Sequence, residues 1–380
     1  MQHTISWTED GQTRHANWRS EGSNPPPKRI VTADDTMTAD TAFRLASEGC
    51  GLLWRGDFQN GRQLLQAMAR RADSRPAKKK KTAGDTPPIA GQAFHLHRQA
   101  QSQRARTLGM LLIAFEADYT IALRRAPDVA EACREAYGPP EQPFVTPLRQ
   151  LQGLIGAHEW RKKGVAVAAL GERIHPHYGV FAPVRGEYVS LVADAPLPAG
   201  ARQLAFDIGT GTGVLAALLA RRGIEKIIAT DQDSRALICA RENLARLGLA
   251  DTVEVLQADL FPPGRAALIV CNPPWLPARP NSAIDHAIFD PDSRMLLGFL
   301  NGLAQHLTAG GEGWLILSDL AELLELRSRT QLLAAIQQAG LKVVDRLDIK
   351  PGHPRTADES DALHAARAAE ITSLWRLTAA

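Results

Sequence analysis

Polar residues dominate the first stretch of the chain, with Pro25, Pro26 and Pro27 in a row, and no apolar period runs through it. This pattern predicts a disordered N-terminus over residues 1–37. From Thr38 onward Ala42, Phe43, Leu45, Ala46, Leu64, Leu65 and Met68 recur at helical spacing. A stretch near 74–92, punctuated by Pro76, Gly84, Pro87 and Pro88, reads as a linker. Leu108, Leu111, Leu112, Phe115 and Tyr119 then fall on one face of a long helix expected over 94–125. Shorter helices are expected over 129–137 and 147–163. Residues 38–170 thus read as a mainly helical module.

Near Gly171 the period changes. Strand-length apolar runs at 203–208, 226–230, 253–257, 267–271, 314–318, 341–347 and 371–377 alternate with helical segments at 214–222, 234–247, 293–307 and 320–338. Repeated strand–helix units of this kind predict an α/β domain over 171–380, with a mostly parallel, doubly wound sheet covered on both faces. In such a sheet a ligand lies outside the carboxyl ends of the strands, where the strand order reverses. A motif at a strand's end is therefore a candidate site.

Composition narrows the class. The 380 residues are 44% hydrophobic and 22% charged, which suits a soluble globular protein rather than a fibrous or wholly disordered one. The longest uninterrupted apolar candidate, 108–115, is far short of a membrane span, and the opening MQHTISWTEDGQ lacks the apolar core of a secretory signal. Cys50, Cys133, Cys239 and Cys271 are scattered, without a CxxC pair, which points away from structural zinc and disulfides and towards a reducing, cytoplasmic setting. His175, His177, His286 and His353 likewise lack paired ligand spacing, so no metal is expected. The net charge of +3 hides a basic segment over 75–106, which holds eight Lys or Arg, including Lys78–Lys81, against one acid, Asp85. Such a segment suits a polyanion such as RNA; it equally suits a solvated linker and an exposed helix face.

Four motifs close successive strands. The first is Asp207-Ile208-Gly209-Thr210-Gly211-Thr212-Gly213. Its glycines, Gly209, Gly211 and Gly213, let the backbone turn sharply and approach a ligand. The spacing is GxGxG behind an acid, not the GxGxxG of dinucleotide enzymes; Asp207 would repel a pyrophosphate but could receive an ammonium group, directly or through water. The bare alternative is a tight turn. The second is Asp231, whose carboxylate can accept from both hydroxyls of a ribose or cap the following helix. The third is Asp259, which could accept from an adenine amino group or serve as a turn residue. The fourth is Asn272-Pro273-Pro274-Trp275. Two prolines end the ladder and stiffen the backbone. The Asn272 side chain and the Pro273 carbonyl offer two acceptors, and Trp275 a π-face, so the three could clamp a planar NH2 group; a Pro-Pro turn over a core Trp is the alternative. Asp285, His286, Asp290 and Asp292, and the basic turn 350–355, are weaker candidates for a substrate mouth.

In register, these motifs make residues 172–380 resemble a Rossmann-like S-adenosylmethionine-dependent methyltransferase of the small-domain group with an Asn-Pro-Pro-aromatic motif. That group includes HemK-type protein-glutamine methyltransferases and adenine amino-methyltransferases. The resemblance implies a seven-stranded sheet with an antiparallel last strand and S-adenosylmethionine as cofactor. It places Asp207, Gly209, Gly211 and Gly213 on the methionine part, Asp231 on the ribose and Asp259 near the adenine. Asn272, Pro273 and Trp275 then surround the target nitrogen. The stretch His177–Glu187 resembles the element that folds over the cofactor, with Pro183, Arg185 and Glu187 in altered spacing, and Trp275 stands where HemK-type enzymes have Tyr.

The expectation is an N-methyltransferase acting on a planar amino nitrogen of a macromolecule, without metal or membrane. Trp275 and the basic segment favour RNA over DNA or protein. A protein-glutamine methyltransferase is the close alternative, favoured by the module in front of the domain. A non-catalytic S-adenosylmethionine- or RNA-binding scaffold is disfavoured by the intact Asn-Pro-Pro-Trp, and a nicotinamide dehydrogenase by Asp207 and the glycine spacing.

Overall fold

The computed structural model describes residues 3–22, 25–73, 90–280, 284–352, 361 and 363–380. The expected linker over 74–92 and its Lys78–Lys81 run therefore lie almost wholly outside the described residues. The chain divides into two compact units, residues 1–89 with 95–159, and residues 90–94 with 160–380.

The first unit holds the expected helices, and a six-stranded mixed sheet that the sequence did not announce runs through it, in the order β1-β2-β6-β5-β4-β3. Its strands are β1 (His3–Glu9), β2 (Gln12–Trp18), β3 (Arg29–Ala33), β4 (Cys50–Trp54), β5 (Leu111–Phe115) and β6 (Phe144–Pro147). The helices are α1 (Ala39–Ser47), α2 (Phe58–Asp73), α3 (Ala90–Leu108), α4 (Ala130–Tyr137) and α5 (Leu148–Lys163). Two sequence expectations are corrected here. The N-terminus is not disordered: Asp10 and Gly11, at φ of 51° and 72°, form the two-residue turn that pairs β1 with β2 antiparallel. Two successive left-handed residues are what a tight hairpin requires, and Asp-Gly suits them. Ile5 and Trp7 then alternate into a core with Leu53, Leu112 and Val145. The helix expected over 94–125 ends at Leu108, and the apolar run that follows is the buried strand β5. A short continuous apolar run fits a buried strand as well as a buried helix, and periodicity alone does not separate them.

The second unit opens with a small hairpin, β7 (Val165–Val167) and β8 (Glu172–Ile174), and helix α6 (Glu187–Asp194). Alternation follows: β9 (Leu204–Ile208), α7 (Val214–Arg221), β10 (Lys226–Asp231), α8 (Ser234–Arg246), β11 (Val253–Gln257), β12 (Ala266–Cys271), α9 (Arg294–His306), β13 (Leu307–Ser318), α10 (Leu320–Leu323), α11 (Arg329–Gln338), β14 (Leu341–Ile349), α12 (His364–Ala369) and β15 (Thr372–Ala379). The single helix expected over 320–338 breaks into α10 and α11. Glu325 takes a φ of 57° at the break, and Ser328 with Gln331 forms a capping box that restarts the helix.

The seven strands lie in the order β11-β10-β9-β12-β13-β15-β14. All are parallel except β15, which inserts antiparallel between β13 and β14. Each strand's alternation sends side chains to two cores. Ala205 of β9 faces a layer that holds Leu215 of α7 and Leu237 of α8. Phe206 and Ile208 face Leu296, Phe299 and Leu300 of α9 and Leu332 of α11. After β9 the chain proceeds to β10 on one side; after β12 it proceeds to β13 on the other. The strand order thus reverses between β9 and β12.

Among the described residues, no helix is long and apolar enough to cross a membrane, and no cluster of His, Cys, Asp or Glu could hold a metal ion. His175 is tied to the Arg161 carbonyl and His177 to Glu242.

Gly213 illustrates how tightly the first turn is set. It stands at φ 81°, and a Cβ there would come within 3.3 Å of the Ala240 backbone in α8. Gly213→Ala should lower unfolding stability by about 1–3 kcal/mol. Gly248→Ala, also left-handed but facing open space, should cost less. Urea unfolding of the two variants checks the difference.

Candidate active site

Register brings the first and fourth motifs together. Asp207 pairs with Val270 and Ile208 with Cys271 across β9 and β12. The next residues, Gly209 and Asn272, therefore leave the sheet side by side from strands that neighbour at about 4.8 Å. On the other side β10 pairs with β9 and β11 with β10, so Asp231 ends the adjacent strand.

The glycine turn is held from below. The Gly209 and Thr210 amides both donate to the Thr230 carbonyl, at 2.9 and 2.8 Å. The Gly211 amide donates to Asp231 Oδ2 at 3.0 Å. Gly209, Gly211 and Gly213 all have φ between 55° and 81°, where side chains are strained. Their surroundings differ. A Cβ on Gly211 would meet nothing within 4 Å, whereas one on Gly209 would collide with the Met295 methyl. The turn therefore has one open shoulder, at Gly211, and one covered by α9.

Asp207 is buried, 1% exposed. Its Oδ2 accepts from the Thr210 hydroxyl at 2.7 Å and from the Ala216 amide at 3.1 Å in the first turn of α7. Burial pushes its carboxyl up to about 6, against the pull of those two donors, and the nearby Asp231 adds to the rise. Burial also raises the carboxyl of Asp231, whose Oδ1 accepts from the Asp233 amide. Two costly carboxylates at adjacent strand ends make a place for a cation and for hydroxyl donors. Asp259 lies further out and is exposed; its Oδ2 accepts from Arg294 at 2.6 Å.

At the fourth motif Pro273 is buried, and Asn272 and Trp275 are partly so. Trp275 Nε1 donates to Asn272 Oδ1 at 2.9 Å, and the ring packs against both cores of the domain. Among the described residues the Pro273 carbonyl accepts no hydrogen bond. The Arg185 guanidinium lies over the Trp275 ring, 5.1 Å from its centroid. The expected π-face is thus covered on that side. The stretch that resembles the cofactor-covering element does reach the site, through Arg185.

The weaker candidates resolve differently. Asp290 caps α9, accepting from the Met295 and Leu296 amides at 3.0 and 3.1 Å, and leaves Asp292 and Ser293 left-handed. His353 and Arg355 lie outside the described residues. Met295 and Arg294 of α9, Ser318 at the end of β13 and Glu370 just before β15 touch the site or its supports without having been signalled by sequence, because only the fold brings them there.

Residues 172–326 match the family described as methyltransferase small domain. The chain is 44% identical over 81 residues to a release factor glutamine methyltransferase of Cereibacter sphaeroides, covering 20% of this chain and 29% of that protein. It is 33% identical over 207 residues to the release factor glutamine methyltransferase of Deinococcus radiodurans, covering 52% of this chain and 70% of that protein. It is also 40% identical over 78 residues to a tRNA1(Val) (adenine(37)-N6)-methyltransferase of Parabacteroides distasonis, covering 19% of this chain and 33% of that protein. For several other curated relatives the chain spans only 22–57% of their length. On its motifs, its strand order and these relatives, the chain belongs to the S-adenosylmethionine-dependent methyltransferases that carry the methyltransferase small domain.

Proposed function

We propose that the protein transfers a methyl group to the planar amino nitrogen of a macromolecule, and that the acceptor is a side-chain carboxamide of a protein. The observation that carries the first half is the register of β9 and β12, which sets the glycine turn beside Asn272 and Pro273.

The residues at the strand ends fit the cofactor. No atom lies within 4 Å of a Cβ built on Gly211, so the turn is uncovered on that shoulder, and Asp207 and Asp231 suit the cofactor's ammonium group and ribose. Bound there, the cofactor supplies a methyl group already activated on sulfonium, so the protein's work is to present the nucleophile. An amide or aromatic amine has its lone pair delocalised. Asn272 Oδ1 keeps one lone pair beyond the indole bond, and the Pro273 carbonyl accepts no bond among the described residues; the two accept the hydrogens of the NH2 group and hold its nitrogen towards the glycine turn. As positive charge develops on that nitrogen, both oxygens stabilise it. The extra proton then leaves to solvent without a strong base.

The carboxamide reading rests on Arg185. A base stacking on the covered side of Trp275 would have to displace a guanidinium that two carboxylates hold. A small carboxamide needs only the two acceptors. The long match to a protein named as a glutamine methyltransferase points the same way. The RNA reading is kept as the second, on the basic segment over 75–106 and the relative named as acting on tRNA.

Incubating the protein with tritiated S-adenosylmethionine and a cell extract should give label that protease removes and nuclease spares. Removal by nuclease instead would turn the assignment to a nucleic acid. Asn272→Ala should reduce that labelling by about 100-fold to 1,000-fold while donor binding by calorimetry is retained; equal loss of both would make Asn272 structural.

The pH dependence follows from Asp207. Its folded carboxyl holds a proton up to about pH 6 and an ordinary one only to 3.8. The folded state therefore binds the extra proton within that window, and fold stability falls as pH rises through it. Donor affinity should run oppositely, weakening as pH drops below about 6 and Asp207 loses its charge. Asp207→Asn should abolish donor binding while leaving the melting temperature at pH 8 unchanged or higher. A lower melting temperature, or donor affinity flat across pH 5–7, would contradict this role.

A further inference from the structure

Arg185 stands in the loop before α6, and its contacts form a chain into the site. Its Nε donates to Glu187 Oε1 at 2.6 Å and its Nη2 to Glu370 Oε1 at 3.1 Å. Glu370 is 2% exposed, and the same oxygen accepts from the Ser318 hydroxyl, at the end of β13, at 2.6 Å. The guanidinium so tethered lies on the Trp275 ring, and the indole N–H of Trp275 holds Asn272 Oδ1.

We propose that Arg185 is a positioning residue that fixes the Asn272 carboxamide through Trp275; the inference rests on the N-methyl transfer reading. A side-chain amide can turn over at little torsional cost. Turned one way, Asn272 offers the substrate an acceptor; turned the other way, it offers NH2 to NH2, and the clamp fails. The indole N–H is a donor only, so it is satisfied by one of the two orientations and selects the oxygen. That selection works only while the ring keeps its tilt. A planar, permanently charged guanidinium lying on the ring and held by two carboxylates fixes the tilt. Glu370 adjoins β15, so the last strand of the sheet sets the acceptor at the end of the fourth.

The test uses the full chain with 15N-labelled tryptophan. The Trp275 indole resonance is the one that Trp275→Phe removes. In Arg185→Met that resonance should move and exchange faster with solvent, and kcat should fall about 10-fold to 100-fold at unchanged donor affinity. In the Trp275→Phe background Arg185→Met should cause no further loss. An unmoved resonance, or the same fold-loss in both backgrounds, would overturn the proposal. Should Arg185→Met fold poorly, Arg185→Gln combined with Glu370→Gln removes the guanidinium and one of its carboxylates together and is read in the same way. The resonance reports on the contact even if the protein transfers no methyl group, so failure of the functional reading is seen separately, as loss of activity in the parent chain with the indole coupling intact.

Discussion

The reversal of strand order between β9 and β12 is the constraint on which the site depends. The two strands are hydrogen-bonded neighbours, but the chain leaves them in opposite directions, so the strand order reverses between their ends. The polar groups that cluster there would be costly elsewhere in the sheet. Asp207 is buried behind the glycine turn, Asp231 braces that turn from β10, and the Asn272 carboxamide stands one residue beyond the ladder. Parallel strands keep these tips in register, because a slip of one residue would send Asp207 to the opposite core.

Rigidity at the tips comes from several short bonds rather than one. The turn is stitched to Thr230 and Asp231, α9 is capped by Asp290, and Met295 closes over Gly209. The burial of Asp207 works against fold stability near neutral pH, where its carboxyl carries a charge. Sites that bind charged cofactors commonly carry such a cost.

Much of the second unit was legible because its strands are short apolar runs set between helices of regular period, and because each chemical motif directly follows a strand. Val253–Gln257 ends where the pattern places it, and β10 and β12 differ from expectation by a residue. In the first unit a polar composition hides a strand pair. The alternation of Ile5 and Trp7 and the Asp10-Gly11 turn are a hairpin signal, masked by the three prolines downstream. The run at 111–115 is ambiguous by its nature, since every position is apolar and no period remains. The contacts of Trp275 were not legible at all. Nothing near residue 275 announces that Arg185 will lie on its ring, nor that Glu370, almost a hundred residues later, will hold that arginine. Such couplings arise from tertiary packing between elements distant in sequence, and they changed the reading of Trp275 from an open stacking platform to a covered ring that holds Asn272.

The most direct measurement is a crystal structure of the protein with S-adenosylhomocysteine, the demethylated product of the cofactor. The ribose is expected on Asp231, the amino-acid end against the glycine turn near Asp207, and the sulfur facing Asn272 and the Pro273 carbonyl across the space that the target nitrogen would fill. A nucleoside bound away from the β9–β12 junction, or a sulfur turned from Asn272 with the glycine turn empty, would contradict this arrangement.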